Sequence, residues 1–338
     1  MHSRKRPAMR LDLSKRFNIL AEVFGRVYGN LIPEALAEKG VHAELRDVLE
    51  EGRLIDDIRG KNVLVVTVAN VSKEVIEKAD SLNLIQRVGV GVDNIDVEAA
   101  TRRGILVCNT PTAMTESVAQ HIWGFITAHS KRIVEGNALI KAGGWRTLIG
   151  YELQGKCLGL IGLGNIGQRT AEIAHAFKMK VVSYDPYQKE EVFLKSNVER
   201  AELKELLQKS DIVALTLPLT PETKYMIGEE ELRSMKKNAL LINVSRGGIV
   251  KEEALVKALK EGWISGAALD VFEQEPLVSN NPLVKLENIM LTPHSAGSTF
   301  ESLQKAANMA AENVARFIKG EKPYWIINPK VLDQKRDL

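Results

Sequence analysis

The amino-acid sequence predicts an α/β protein in which doubly wound parallel β-sheets form two domains. Short apolar segments alternate with helical patterns along most of the chain, and this alternation is typical of parallel strands joined by helices. A glycine-rich turn from a strand to a helix lies near the middle of the chain, with α/β patterning on both sides. The 338 residues are enough to form two hydrophobic cores.

The composition excludes several classes of protein. The chain contains 45% hydrophobic and 26% charged residues, as an ordinary soluble protein does. No apolar run approaches the ~20 residues that a transmembrane helix needs. The first residues also lack the apolar segment of a secretory signal. We therefore expect a cytoplasmic protein that does not bind membranes.

The small positive net charge of the chain comes from a basic N-terminal tail, residues 1–16. The whole chain has a net charge of +3, and the tail alone contributes +5, which leaves −2 for the rest. A nucleic-acid-binding protein needs basic residues clustered on a folded face. We expect no nucleic-acid partner and a tail that is disordered or loosely docked, with a targeting role or an anionic partner as the alternative.

The cysteines and histidines of the chain do not predict a metal site. Cys108 and Cys157 show neither metal-ligand spacing nor a disulfide framework, and both suit a reducing cytoplasm. His121, His129 and His175 lie in helical patterns without partner residues at ligand spacing, so we interpret them as structural.

Residues 17–114 predict the first α/β segment. Its most informative part is Arg87–Asp93, where Gly89 and Gly91 flank Val90 directly after a strand. Such a turn exposes backbone N–H groups that can hold a carboxylate, although a plain strand-to-helix turn would have the same pattern. The predicted strands are at 17–24, 62–68, 84–92 and 104–111, with helices near Ile32–Glu38 and Lys73–Ala79.

The next segment, Thr115–Arg132, predicts a long helix. Thr115 is a plausible N-cap, and a long apolar face follows it, so we interpret this helix as the hinge element between the two domains. Lys141–Trp145 then predicts a loop.

The glycine-rich turn indicates a dinucleotide-binding site. The apolar strand Leu158–Ile161 leads into Gly162, Gly164 and Gly167, which have the spacing G-x-G-x-x-G. These glycines permit a tight turn, the approach of a pyrophosphate and close packing of the helix that begins at Asn165. The N–H groups at that helix start can face phosphates.

The following strand, Lys180–Tyr184, ends at Asp185. A carboxylate at this position accepts hydrogen bonds from the adenosine ribose hydroxyls and would repel a 2′-phosphate. The sequence therefore predicts NAD as the cofactor, in preference to NADP.

The rest of the chain continues the alternation and places polar residues at strand ends. Ligands of open parallel sheets bind beyond the carboxyl ends of the strands, so Arg246, Asp270, Glu275 and His294 are candidates for one shared site. The predicted helices are Ala201–Lys209, Glu229–Met235 and Lys251–Glu261, and the predicted strands are at 211–217, 238–244 and 264–271.

Three of these residue types suit the reduction of a ketone by hydride transfer. His294 can donate the proton, because histidine titrates near neutrality. Glu275 can orient the imidazole and stabilise its protonated form. Arg246 offers a planar fork for the carboxylate and carbonyl of a 2-oxo acid.

From Phe17 to about Asn328 the sequence resembles the D-isomer-specific 2-hydroxyacid dehydrogenases. The resemblance implies a Rossmann-type NAD-binding domain, 115–305, inserted in a flavodoxin-like substrate domain formed by 17–114 and 306–338. It also implies an active site in the cleft between the domains. The motifs that carry it are GVGVDNIDVEAATRRGILVCNTP, GLIGLGNIGQRTA, LPLTPETK, LLINVSRGGIV, ALDVFEQEP and TPHSAG.

The resemblance also implies roles for residues at the matching positions. Arg246 would bind the substrate carboxylate and carbonyl, His294 would be the acid/base and Glu275 its partner, while the Val90 and Gly91 amides would hold the carboxylate. Family members usually form homodimers through the nucleotide domain. The implied cofactor-binding residues are Gly162, Leu163, Gly164, Asn165, Ile166, Gly167, Asp185, Pro218, Thr223, Val244, Ser245, Asp270, His294, Ala296 and Gly297.

Three positions depart from the common family pattern. Gln120 replaces a frequent glutamate in the hinge helix, Ala296 replaces a glycine in the turn after the histidine, and Lys251 replaces an aspartate after the arginine motif. None of these changes removes a proposed catalytic group.

The substrate is expected to be a small 2-oxo acid, with glyoxylate or hydroxypyruvate first and pyruvate also compatible. Phosphoglycerate dehydrogenases of the family commonly place arginines where this chain has Val66, Thr67 and Val68. Phosphoglycerate or phosphite oxidation and a non-catalytic NAD-sensing role are the alternatives. Formate dehydrogenases pair the histidine with glutamine, whereas this chain has Glu275.

Overall fold

The structure is a computed structural model that describes residues 17–23, 30–47 and 50–333. The chain divides into two compact units, Met1–Met114 with Phe300–Leu338 and Thr115–Thr299. The basic tail, residues 1–16, and Phe24 of the first predicted strand lie outside the described residues. Among the described residues, no helix is both long enough and apolar enough to cross a membrane.

The first unit contains a five-stranded sheet in which all strand pairs are parallel. The order is β2-β1-β3-β4-β5, which is the order of the flavodoxin-like fold that the family resemblance implied. The edge strand β2 has the sequence ELRD and is mostly exposed, so it lacks the apolar signal that would have predicted it. The strands are β1 (Ile19–Val23), β2 (Glu44–Asp47), β3 (Val63–Val66), β4 (Leu84–Arg87) and β5 (Leu106–Cys108).

Helices cover both faces of this sheet and complete two hydrophobic cores. Small side chains of the last helix, α12 (Phe300–Ile318), lie in one core with the apolar side of α1 (Leu31–Glu38). The other core lies between the sheet and three short helices, which are α2 (Glu51–Asp57), α3 (Lys73–Lys78) and α4 (Val97–Arg102).

The last helix, α12, marks the residue at which the chain returns to the first unit. The expected boundary at 305/306 would cut α12, whereas the compact units divide between Thr299 and Phe300. Leu303 is buried in the core of the first unit, so this turn of the helix already packs with that unit.

The second unit contains a seven-stranded sheet in which all strand pairs are parallel. The order is β12-β11-β10-β9-β6-β7-β8, which is the Rossmann order extended by one strand. This confirms the predicted fold class. The strands are β6 (Cys157–Ile161), β7 (Lys180–Tyr184), β8 (Glu199–Arg200), β9 (Ile212–Leu215), β10 (Leu240–Asn243), β11 (Gly266–Leu269) and β12 (Ile289–Leu291).

The helix predicted at Thr115–Arg132 is followed directly by another helix. Arg132 adopts a left-handed conformation with φ of +54°, which separates α5 (Thr115–Ser130) from α6 (Ile133–Lys141). No residue of α6 is buried. The other helices of this unit are α7 (Asn165–Ala176), α8 (Glu190–Ser196), α9 (Leu203–Lys209), α10 (Glu229–Ser234) and α11 (Glu252–Glu261).

Candidate active site

The glycine turn after β6 has the geometry that a dinucleotide phosphate needs. Gly162 has φ of +100°, and a Cβ there would lie 2.6 Å from the Thr216 carbonyl oxygen. A Cβ on Gly167 would collide with the Gly162 carbonyl oxygen, so this glycine lets α7 approach the strand. A Cβ on Gly164 would meet nothing within 4 Å, which leaves the backbone open to a ligand. The turn therefore fits a bound pyrophosphate.

Asp185 connects the end of β7 to this glycine turn. Its Oδ2 accepts a hydrogen bond from Leu163 N at 2.8 Å, and its Oδ1 accepts from Tyr187 N and Gln188 N at 3.0 and 3.1 Å. An ionised carboxylate has about four acceptor positions, so Oδ2 keeps one for a ribose hydroxyl. Asp185 therefore fits the predicted position near the cofactor ribose.

Two glutamines that the sequence reasoning missed also support the turn. Gln168 Nε2 and Gln188 Nε2 both donate to the Leu163 carbonyl oxygen, at 3.0 and 3.1 Å. These contacts fix the orientation of the peptide that follows Leu163. Gln168 lies directly after the glycine motif, whereas Gln188 is 25 positions from Leu163, so its contact depends on how the chain folds back.

The remaining predicted cofactor residues lie in loops after other strands of the same sheet. Thr223 Oγ1 donates to the Pro218 carbonyl oxygen at 2.8 Å, which closes the loop that follows β9. Ser245 Oγ, after Val244 and the end of β10, donates to Leu215 O at 2.8 Å. Because all strands are parallel, these loops share the carboxyl edge of the sheet with the glycine turn.

At the same edge, His294 and Glu275 form a direct pair. His294 Nδ1 lies 2.6 Å from Glu275 Oε2, and Glu275 Oε1 accepts from Phe272 N at 2.9 Å. The backbone contact fixes the carboxylate, which in turn orients the imidazole. With Nδ1–H donated to the carboxylate, Nε2 is left to exchange a proton with a ligand. The side chain of His294 is 51% exposed, so a ligand can reach it.

Asp270 holds the turn that carries His294, a role that the sequence reasoning missed. His294 has a left-handed backbone with φ of +49°, and its N–H donates to the Asp270 carbonyl oxygen at 2.8 Å. The buried Asp270 carboxylate accepts from Ser295 N and Ala296 N, both at 2.8 Å, and from Thr292 Oγ1 at 2.6 Å. These contacts hold the histidine turn in place.

His121 extends this network. Its Nε2 lies 3.0 Å from Thr292 Oγ1 and 3.8 Å from Asp270 Oδ1, while its ring meets Phe125 edge to face. These contacts agree with the structural role expected for His121. They also connect His121 to Asp270 through the Thr292 hydroxyl.

The backbone of Arg246 is fixed where it follows β10. Its carbonyl oxygen accepts from Asn243 Nδ2 at 2.9 Å, and its Nη1 donates to Ser245 O at 2.7 Å. A side chain on the next residue, Gly247, would collide with the Phe272 backbone, so this glycine permits close contact with the segment that leads to Glu275. Arg246 therefore follows β10, which lies next to β11, the strand that leads to Glu275.

In the first unit, the turn after β4 presents Val90 and Gly91. Gly89 has φ of +152° and donates to Thr110 Oγ1 at 2.9 Å, while Asn109 Nδ2 donates to Val90 O at 2.7 Å. Within residues 17–23, 30–47 and 50–333, the Val90 and Gly91 amides donate no hydrogen bond. Two adjacent donors on a fixed turn suit a carboxylate ligand.

Neither cysteine is placed to act as a nucleophile. Cys108 and Cys157 are buried, and burial raises the pKa of the Cys108 thiol to about 12 and also raises the pKa of Cys157. No group of three or more potential metal ligands is found in the part of the chain that the structure describes.

Comparison with known proteins agrees with this geometry. Residues 123–296 match the family model for the NAD binding domain of D-isomer specific 2-hydroxyacid dehydrogenases. A glyoxylate reductase of Thermofilum pendens is 46% identical over 287 residues, which cover 82% of this chain and 85% of that protein. A D-3-phosphoglycerate dehydrogenase of Methanocaldococcus jannaschii is 43% identical over 305 residues, 89% of this chain and 58% of that protein.

A solved structure is similar over almost its full length. The D-lactate dehydrogenase of Aquifex aeolicus, solved in complex with NAD and lactic acid, matches with a TM-score of 0.81 and 29% identity. The match covers 94% of this chain and 98% of the Aquifex aeolicus chain. Since the family model spans half of the chain and the relatives span most of it, this protein belongs to the D-isomer specific 2-hydroxyacid dehydrogenase family and is an NAD-dependent oxidoreductase.

Proposed function

We propose that this enzyme reduces a small 2-oxo acid with NADH, and that glyoxylate or hydroxypyruvate is its preferred substrate. The observation that carries the proposal is the His294–Glu275 pair, with 2.6 Å between Nδ1 and Oε2, at the carboxyl edge of a Rossmann sheet. The names of relatives such as the Thermofilum pendens glyoxylate reductase support the substrate class.

The proposed chemistry assigns the proton to His294. When bound, NADH supplies the hydride that adds to the carbonyl carbon. Nε2 of the protonated His294 donates a proton to the carbonyl oxygen as negative charge develops there. Glu275 stabilises the imidazolium before transfer and keeps the ring in one orientation afterwards. In the reverse direction, the neutral imidazole accepts the proton of the hydroxyl group.

The proposed substrate contacts come from Arg246 and from the turn after β4. The guanidinium of Arg246 can hold the substrate carboxylate and the adjacent carbonyl in one plane, which also polarises that carbonyl. The Val90 and Gly91 amides are proposed to bind the carboxylate, because both are free donors among the described residues.

The preference for NADH rests on Asp185. A carboxylate that accepts from Leu163 N next to the glycine turn would repel the 2′-phosphate of NADPH. We propose NAD(H) as the physiological cofactor for this reason.

The test of the function is NADH oxidation at 340 nm with a panel of 2-oxo acids, repeated with NADPH. We expect the highest kcat/KM with glyoxylate or hydroxypyruvate and a clear preference for NADH. A higher kcat/KM with NADPH would contradict the role of Asp185. If the folded protein binds NADH but shows no turnover of any 2-oxo acid, phosphite oxidation or a non-catalytic NAD-sensing role would be favoured instead.

Phosphoglycerate oxidation is the second candidate function. The Methanocaldococcus jannaschii relative favours it, although this chain covers only 58% of that protein. Phosphohydroxypyruvate therefore belongs in the panel, and a preference for it over hydroxypyruvate would select this candidate.

We also propose that the enzyme is a homodimer formed through the second unit. The surface that supports this proposal is α6 with the loop 142–150, here called the apolar arm. Its exposed apolar residues are Ile133, Val134, Ile140, Trp145 and Ile149, of which Trp145 is 91% and Ile149 83% exposed.

A further inference from the structure

A buried glutamate lies behind the loop that follows β3 in the first unit. Glu22, near the end of β1, has no exposed surface. Its carboxylate accepts hydrogen bonds from three consecutive backbone amides, Thr67 N at 2.6 Å, Val68 N at 3.0 Å and Ala69 N at 3.2 Å. The loop that these residues form, here called the 67–69 loop, is therefore a three-amide anion site that the protein fills with its own carboxylate.

The 67–69 loop is joined to the turn that carries Val90 and Gly91. Strands β3 and β4 are neighbours, and Val88 N donates to Val66 O at 2.8 Å just before the two loops diverge. Asn94 Nδ2 then donates to Ala69 O at 2.7 Å. Neighbouring strands lie about 4.8 Å apart, so the loop and the proposed carboxylate-binding turn are adjacent at one edge of the sheet.

The loop presents an apolar surface in front of a negative charge. Val68 is 48% exposed whereas Thr67 and Ala69 are buried, so Val68 is the side chain that this loop presents to solvent, while its N–H donates to the buried Glu22 carboxylate. A substrate tail with a second negative charge would be repelled by this carboxylate, and it would find the three amides already occupied. A short, uncharged substrate tail would not be repelled by the carboxylate and would not need the occupied amides.

We propose that Glu22 determines substrate selectivity by excluding 2-oxo acids that carry a second anionic group beyond the carboxylate. This inference deepens the proposed function and rests on the assignment of the substrate carboxylate to the Val90 and Gly91 amides. Glu22 touches no reacting atom. It acts through the 67–69 loop, by repulsion of the wrong substrate as well as by occupation of the donors that would bind it.

The test compares two substrates that differ only in a phosphate, hydroxypyruvate and phosphohydroxypyruvate. The quantity measured is the ratio of their kcat/KM values for wild type, Glu22→Gln and Glu22→Asp. We expect wild type and Glu22→Asp to prefer hydroxypyruvate. Glu22→Gln removes the charge but keeps an acceptor oxygen for the loop, and we expect it to lower the preference by ~10-fold or more.

A matched control is Glu51→Gln. Glu51 also contacts this region, because its Oε2 accepts from Asn70 Nδ2 at 2.9 Å, but it does not accept from the three amides. We expect the substrate ratio of Glu51→Gln to stay within twofold of wild type. A change equal to that of Glu22→Gln would show that any disturbance of the loop alters the ratio, and would overturn the assignment to Glu22.

The outcomes separate this proposal from the proposed function. If wild type reduces hydroxypyruvate and folded Glu22→Gln keeps the same ratio, the role of Glu22 is overturned while the function stands. If the wild-type enzyme turns over none of the 2-oxo acids, the proposed function and the role of Glu22 are both overturned. If Glu22→Gln does not fold, inhibition of the wild-type enzyme is measured instead. The proposal then requires glycolate to inhibit ~10-fold more strongly than phosphoglycolate. Equal inhibition would overturn the proposal.

Discussion

At the scale of single residues, the chemistry proposed here depends most on His294. Replacing it with alanine removes the proton donor, and we expect turnover of the best 2-oxo acid to fall by ~10² or more. The NADH dissociation constant, measured by fluorescence titration, should change little, because the glycine turn and Asp185 are untouched. His175→Gln is the control, since the His175 Nε2 lies 3.0 Å from the Ser196 carbonyl oxygen and His175 is not among the proposed site residues. Wild-type turnover in His294→Ala would remove His294 from the mechanism.

Asp270 acts on the reaction through the position of His294. Ser295 N and Ala296 N donate to different oxygens of Asp270, so Asp270→Asn puts an NH₂ group opposite one of these two amides, where two donors would face each other. We expect a lower kcat together with a Tm several degrees below wild type. Ser117 supplies a control, because its Oγ donates to Ala296 O at 2.7 Å without contacting Asp270. Ser117→Ala should lower Tm by less and leave kcat close to wild type, whereas equal losses of kcat would contradict the special role of Asp270.

At the scale of elements, two glycines of the turn after β6 are expected to respond differently to replacement. Replacing Gly167 should affect folding, whereas replacing Gly164 should affect cofactor binding alone. Gly167→Ala places a Cβ against the Gly162 carbonyl oxygen, which belongs to rigid backbone, so we expect a lower Tm and weaker NADH binding. Gly164→Ala places a Cβ in open space, so Tm should hold while NADH binds more weakly, because the Cβ occupies the approach of the pyrophosphate. Thermal unfolding and NADH titration of both variants check this contrast. Unchanged NADH affinity in Gly164→Ala would show that the phosphates lie elsewhere.

The elements also show what the sequence could predict. Leu158–Ile161 is buried on both faces, and helix α7 begins at Asn165 as the glycine spacing predicted. The elements that were missed bury few residues, so burial gives little signal for them in the sequence. Among them, β2 is mostly exposed, α8 buries only Phe193, and α6 buries no residue.

The site residues also differ in whether their contacts are local or depend on tertiary folding. The His294–Glu275 pair could be predicted because each residue lies in a local motif at the end of a strand. The roles of Asp270 and Glu22 could not, because each depends on backbone amides that tertiary folding brings to a carboxylate. Glu22, for example, is separated from Thr67 by 45 positions in the chain.

At the scale of the whole molecule, the apolar arm is an ordered structure, which supports its assignment as a dimer surface. Arg146 Nη2 contacts Glu135 Oε1 at 3.0 Å, and Tyr151 N donates to Ser130 O at 2.9 Å. The loop is therefore held against α5 and α6, while the side chains of Trp145 and Ile149 are exposed to solvent. Large exposed apolar patches of this kind mark interaction surfaces, and a second copy of the chain would bury the same patch on both partners.

Light scattering after size exclusion tests the dimer directly. We expect wild type to have about twice the 37.5 kDa mass of one chain. The double variant Trp145→Ser, Ile149→Lys removes the two most exposed apolar side chains of the arm and introduces a charge, so we expect it to dissociate to the monomer mass at micromolar concentration. Phe300→Ser is the matched control, because Phe300 is 67% exposed but lies in the first unit. A wild-type mass of one chain would refute the dimer, and a dimeric double variant would move the interface away from the arm.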